Sequence, residues 1–214
     1  TASVAYKISD ALSVAMNFNL VHMFLSANRM MNLAVLADPD ARFLPQEETE
    51  DEDAELSIGG QAWTWSWDVG VLLTPIKTLR IGAAFFAGAE ATIEGDVDLS
   101  FPTGEKESTT QSTPMVIQFT MKVGFNWEFA PDFELGADYR YYHYQIFQEQ
   151  HTKLGAPLMG ISEFRDPKNY SNAGNWCVGL MYHLSPSLDL MMGYQEDYTP
   201  IPENTFTLEN PSRD

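Results

Sequence analysis

The chain has little positive charge, one cysteine and no long apolar run. Its 214 residues carry 30 acidic side chains against 12 basic ones, a net charge of −18. That balance repels a phosphate backbone and excludes nucleic acid as a partner. Cys177 is the single cysteine, so no disulfide forms within the chain and no cysteine-based zinc site exists. A lone cysteine reads as a small packed side chain. No segment approaches the roughly 18 consecutive apolar residues of a membrane-spanning helix. The four histidines, His22, His143, His151 and His183, stand in no metal-ligand spacing. Neither a G-x-S-x-G nor a P-loop is present. The sequence therefore offers no catalytic residues, no metal site and no cofactor site. The chain opens on Thr1 inside a strand pattern and ends in a polar stretch, which predicts a mature or partial chain.

What is present is period-two alternation over unusual lengths. From Met115 the odd positions read Met115, Ile117, Phe119, Met121, Val123, Phe125, Trp127 and Phe129, with Gln118, Thr120, Lys122, Asn126 and Glu128 among the residues between. A helix would scatter these apolar side chains around its axis; a strand places them on one face. Similar faces run through Leu12–Leu20, Trp63–Leu73, Leu79–Ile93, Phe133–Tyr141, Trp176–Leu184 and Leu188–Tyr194. The predicted strands reach about 10–15 residues, against a mode near 5–6 in globular proteins. Short turns rich in Pro, Asp and Ser, at Ile8–Ala11, Thr74–Lys77, Ala130–Asp132 and Ser185–Ser187, alternate with long connections at Ser26–Ile58, Gly95–Thr113, Gln148–Asn172 and beyond Thr199. In an up-and-down meander every short turn then lies at one end. Phe24–Leu36 is expected to form a short amphipathic helix.

Residue size decides which face is inside. Five tryptophans and thirteen phenylalanines overfill the interior of a small soluble barrel or sandwich. A lipid-facing surface has no such limit. The opposite face carries Gly70, Gly82, Gly88, Gly124, Gly136, Gly179 and Gly193 among polar residues, which suits a lumen. Short turns at one end and long loops at the other match the asymmetry of bacterial outer-membrane barrels, and Trp127, Phe129 and Tyr182 near strand ends suit an interfacial girdle. The fold class is thus all-β, an antiparallel transmembrane up-and-down barrel of about eight strands in this chain, located in the bacterial outer membrane.

Three segments carry a family likeness. Ser3–Val14 (SVAYKISDALSV), Thr78–Ala84 (TLRIGAA) with Glu94-Gly95-Asp96, and the hairpin from Trp176 through Ser185-Pro186 and Leu188–Tyr194 to Thr199-Pro200-Ile201-Pro202 resemble the long-chain fatty-acid transporter family of outer-membrane proteins. The last segment is the most specific, since both its spacing and its Pro-x-Pro match. Ala15 stands where the family usually has Gly, and Met191 where Arg is common. The resemblance implies a monomeric barrel of about 14 strands, and uptake of fatty acids or other hydrophobic molecules. It implies that residues 1–214 are one part of a single barrel domain, with an N-terminal hatch and closing C-terminal strands outside this chain.

Candidate site residues follow. An apolar groove at the extracellular end is expected from Phe24, Leu25, Met30, Met31, Leu33, Val35 and Leu36, with Met suited to an adaptable apolar site; the bland alternative is packing on the barrel rim. Lumen-facing Asp68, Arg80, Lys122, Glu128, Asp138 and Arg140 are expected to pair with one another, or, with Arg29 and Arg42, to offer a cation to a carboxylate ligand. The acidic run Glu47–Glu55 reads as a solvated loop, with divalent cations bridging lipopolysaccharide as the sharper alternative. The expected partners are membrane lipids, lipopolysaccharide and hydrophobic small molecules. A non-transporting barrel (adhesin or phage receptor) and a general porin are the competing functions.

Overall fold

The computed structural model describes residues 1–32 and 53–202, the side chains of Met31 and Asn32 excepted. Twelve strands form one antiparallel sheet: β1 (Ala2–Lys7), β2 (Leu12–Asn32), β3 (Asp53–Ile76), β4 (Leu79–Phe86), β5 (Ala89–Ser100), β6 (Lys106–Ile117), β7 (Thr120–Ala130), β8 (Phe133–Tyr142), β9 (Glu149–Leu158), β10 (Ile161–Pro167), β11 (Ala173–Ser185) and β12 (Leu188–Asp197). Among the described residues the only helix is a 3-10 turn at Tyr144–Ile146.

A wall runs through the sheet in the order β1, β2, β3, β4, β7, β8, β11, β12. β4 continues into β5 across Ala87–Gly88, and β6 into β7 across Gln118–Phe119, so the chain crosses the wall eight times, up and down. The short turns at residues 8–11, 77–78, 131–132 and 186–187 all fall at one end. At the first, the amides of Ile8 and Ser9 both donate to the Leu12 carbonyl. At the third, Asp132 takes a left-handed φ of 68°, a conformation Asp tolerates.

Two expectations are corrected. Much of the sequence between the short turns is strand rather than loop: β5 with β6, and β9 with β10, are antiparallel ribbons. The expected helix at Phe24–Leu36 is strand at least as far as Asn32. β2 stays in register with β3 from Leu12↔Leu73 to Asn32↔Asp53 without a shift. Pairing with β3 at every position up to Asn32 holds this Met- and Leu-rich run extended. The rest of that segment lies outside the described residues.

The faces can be assigned from the register, because directly opposite residues share a face. Phe18 faces Trp67, Leu20 faces Trp65, Val71 faces Ala83, Val123 faces Tyr139, Ala137 faces Val178 and Val178 faces Tyr194. This row is the lipid-facing surface, and its rings stack along it: Phe18 on Trp65 at 5.7 Å, His22 on Trp63 at 4.4 Å, Phe133 on Tyr182 at 4.5 Å. In single-tryptophan variants that retain Trp63 or Trp65, bromine-bearing phospholipids are expected to quench the fluorescence. Full emission would turn these rings to the lumen.

Above the membrane the apolar face changes side, because the solvent outside changes from lipid to water. Below Ala87–Gly88 the odd residues of β4 pair with odd residues of β3; above it, Leu99 faces Leu56 and Val97 faces Ile58. One extra residue in the β4–β5 strand makes this a bulge, and it turns Ile93, Val97 and Leu99 from the outer to the inner side. β6 follows β5 in register, so Met115 and Ile117 turn inward as well. The continuous outward faces expected for Leu79–Ile93 and Met115–Phe129 are therefore each split at the kink. β3 has no kink and switches its sequence instead. Its apolar residues are odd from Trp63 to Leu73 and even at Ala54, Leu56 and Ile58. Ala54, Leu56, Val97, Leu99 and Leu158 make a water-excluding cluster, with Ile58, Phe101 and Leu154 against it. The extracellular sheet thus curls into a roll with its own core, standing on the wall.

Candidate functional site

The inner surface of the wall is built from what the lipid face leaves between its aromatic residues. Small residues come level with one another across the strands: Ala15 opposite Gly70, Gly70 opposite Ala84, Gly82 opposite Gly124, Gly136 opposite Gly179, and Gly179 opposite Gly193. With no side chains there, the wall is thinned from within. A concavity of about 900 Å³ is lined on this face by Leu72, Arg80, Gly82, Asn126, Asp138 and Cys177, among others. An adjoining one of about 480 Å³ is lined by Ala15, Gly70, Gly82, Ala84, Lys122 and Arg140, among others. The two share Leu72, Gly82, Gly124 and Asp138.

All six residues expected in the lumen are on this face by register. Their pairing is only partly the expected one. Asp68 takes no cation; it accepts hydrogen bonds from Asn17 Nδ2 at 2.7 Å and Asn19 Nδ2 at 2.6 Å. Arg80 donates to Asn126 Oδ1 at 3.1 Å and lies 3.7 Å from Glu128, a half-exposed contact of small energetic worth. Arg140 Nε donates to Asp138 Oδ1 at 3.2 Å, and the Cys177 thiol donates to the other oxygen of the same carboxylate at 2.7 Å. Cys177 is thus a half-buried lumen residue and not a core one. Lys122 stands directly opposite Arg140 and makes no hydrogen bond or ion pair with any described residue.

A network that the sequence reading missed lies near the short-turn end. His183 reaches Asp189 at 2.8 Å and Glu134 at 3.2 Å, and Asn126 Nδ2 donates to Glu134 at 3.0 Å. The alternation does put these residues on the inner face, but no motif marks His183 and Glu134, 49 positions apart, as neighbours. In the extracellular β9–β10 ribbon, Arg165 donates to Glu163 at 2.9 Å and His151 lies 2.7 Å from it. The Arg165 hydrogen bond, then the His151 contact, hold the Glu163 carboxyl below its usual range.

The residues of the expected groove do not share one face. Phe24 and Met30 are on the outward side of β2, both well exposed. Leu25 is on the inward side, where Val21 and Met23 precede it, and the backbone register puts Met31 on the inward side too. Leu33, Val35 and Leu36 lie outside the described residues. So does Arg42, and so does most of the acidic run Glu47–Glu55, of which Asp53 to Glu55 begin β3. Among the described residues no cluster of His, Cys, Asp and Glu has the arrangement of a metal site.

Comparison with known proteins adds three findings. The profile of the outer membrane protein transport protein family (OMPP1/FadL/TodX) matches residues 1–214. The structure resembles a Pseudomonas aeruginosa FadL homologue with a TM-score of 0.78 at 16% identity, over 94% of this chain and 49% of that one. It resembles the Ralstonia pickettii toluene transporter TbuX with a TM-score of 0.67 at 18% identity, over 92% and 54% of the two chains. The monoaromatic hydrocarbon channel CymD gives 0.67 at 15% identity, over 92% and 59%. At these identities the likeness is one of fold, and this chain spans about half the length of each solved structure. No curated protein sequence matches it.

Proposed function

The chain belongs to the outer membrane protein transport protein family (OMPP1/FadL/TodX), an outer-membrane β-barrel family of passive transporters and not enzymes, and from that premise we propose that it forms wall and extracellular rim of a channel that takes up hydrophobic compounds, long-chain fatty acids among them. The observation that carries this reading is the inner surface. A general porin keeps a polar, water-filled lumen. Here the inner lining is largely Gly and Ala with Leu72, and the charged Arg80, Lys122, Asp138 and Arg140 stand among them in the same cross-strand rows. Between those charges such a floor presents Cα–H groups and little that binds water.

The ligand first meets the apolar inward side of upper β2, at Val21, Met23 and Leu25. Phe24 and Met30, on the other side, serve as anchors in the rim, facing lipopolysaccharide. On this reading the channel is a monomer, and the hatch and further strands that the resemblance implies belong to sequence outside these residues.

The test is uptake of labelled oleate and labelled toluene by cells with and without the full-length gene. Faster uptake of either compound in the gene-bearing cells is the expected result. Equal rates for both would overturn the transport reading and leave a non-transporting barrel or a general porin.

A further inference from the structure

A chain of side-chain hydrogen bonds crosses five neighbouring strands near the short-turn end of the inner face. Arg80 on β4 donates to Asn126 Oδ1 on β7 at 3.1 Å, and Asn126 Nδ2 donates to Glu134 on β8 at 3.0 Å. The other oxygen of Glu134 lies 3.2 Å from His183 Nε2 on β11, and His183 Nδ1 lies 2.8 Å from Asp189 on β12. Donor count fixes the direction of each link. A guanidinium only donates, so the Asn126 oxygen accepts and its amide N–H goes to Glu134. With both carboxylates ionised, the imidazole between Glu134 and Asp189 has to donate at both nitrogens. A neutral ring has one N–H. The chain is therefore complete only while it holds one extra proton, on the ring or shared with a carboxyl.

The surroundings make that proton matter. β11 is flanked by β8 and β12. The charged groups these bring to His183 are Glu134 and Asp189, with Asp132 in the turn that leads into β8. Beyond them stand Glu128, directly opposite Glu134, and Arg80, 3.7 Å from Glu128. Once the proton leaves, a ring lone pair faces a carboxylate oxygen, and one of the two histidine contacts breaks. The backbone does little to hold what is then released. The ladder between β11 and β8 ends at Tyr182↔Phe133, followed by one bond from the His183 amide to the Asp132 carbonyl at 2.8 Å. The ladder between β11 and β12 shifts register between His183 and Ser185. The His183 side chain thus bridges the place where strand pairing gives out.

We propose that this chain is a proton-held clasp at the periplasmic mouth of the barrel, where the short turns lie. With its proton it ties β8, β11 and β12 together on the lumen side. As the surroundings turn alkaline the proton is lost, one end of the chain lets go, and the turn between β11 and β12 loosens. The clasp's contribution is present in acid and disappears as pH rises. It stands on the barrel fold and not on the transport reading, since it needs no ligand.

The test is backbone hydrogen exchange over residues 183–189 of the full-length protein in neutral detergent. It is measured at about pH 6 and about pH 8, on either side of the histidine range, and each rate is divided by that of the unstructured peptide. Protection is expected to fall about tenfold or more from the lower pH to the higher, the loss of one hydrogen bond to a charged group. His183→Gln is expected to be weakly protected at both. Asp189→Asn is the sharper variant. Its amide N–H donates to Nδ1 of a neutral ring whose Nε2–H still reaches Glu134, so the chain closes without the extra proton. Its protection is expected to stay at the native acid-side level at both pH values. Native protein equally protected at both overturns the clasp. So does His183→Gln or Asp189→Asn that keeps the native fall. Should His183→Gln fail to refold, Asp189→Asn decides alone.

Discussion

Replacing Gly88 with alanine is expected to destabilise the protein by about 3 kcal/mol or more, and to do so far more than the same change at Gly104. Both glycines have left-handed backbones, with φ of 79° and 87°. The conformational cost to an L-residue is therefore similar at the two sites, roughly 1–2 kcal/mol. The surroundings differ. A Cβ at Gly104 meets nothing within 4 Å, whereas one at Gly88 runs into the Ile117 carbonyl oxygen and approaches Gln118 C and Phe119 N at 3.0 Å. These are backbone atoms of the neighbouring strand at its own break, and they have no rotamer to change. The kink at Gly88 turns Ile93, Val97 and Leu99 away from water, and each of them is almost wholly buried. Burial of each such side chain is worth about 1.5–3 kcal/mol, so even a partial unfolding of the kink is felt through the extracellular roll. Urea titration of the refolded full-length protein in detergent measures both variants. Equal losses at Gly88 and Gly104 would mean that the backbone conformation matters and the kink does not.

The same kink marks where the sequence is legible and where it is not. Alternation alone identifies strands, their lipid face and the end that carries short turns, because lipid imposes one rule on every pass of the wall. It does not reveal that the rule reverses. In β3 the reversal is written in the residues: Trp63, Trp65 and Trp67 are odd, while Ala54, Leu56 and Ile58 are even. In β4 and β5 the apolar residues stay odd from Leu79 to Ile93, and the chain turns over instead. A reader of residues sees one continuous face there, since a bulge leaves the pattern intact and moves only the backbone. Gly88 is the local sign of it, but isolated glycines also occur at Gly70 and Gly82, where the strand runs straight through.

The site was legible in the same partial way. The period of two places Asp68, Arg80, Lys122, Glu128, Asp138 and Arg140 on the inner surface. Which of them meet depends on register between strands, and register is fixed by turns and bulges that lie elsewhere. Arg140 with Asp138 is local, two residues apart on one strand, and was expected. Asn17 and Asn19 with Asp68 span 51 and 49 positions, and charge alone does not select an amide over a guanidinium.

Arginine at Val69 is expected to cost about 2–4 kcal/mol, the penalty for a cation on the lipid face near mid-bilayer, while arginine at Leu72 is expected to cost little. Accessibility does not distinguish the two positions. Val69 is 37% exposed and Leu72 44%, because one layer of sheet leaves both of its sides open. The register does distinguish them. Val69 lies between Met16 and Phe85 on the row that includes Trp65, Trp67 and Val71. Its height is midway along the apolar stretch from Trp63 to Leu73, so a guanidinium there has no short reach to water at either interface. Leu72 lies between Ser13 and Gly82 and lines both inner concavities. There an arginine joins a surface that already holds Arg80, Lys122 and Arg140. Refolding of the full-length protein into thin phosphatidylcholine bilayers, followed by guanidinium titration, gives the two free energies directly. If Leu72→Arg proved the more damaging of the pair, the lumen and lipid faces would have to be exchanged.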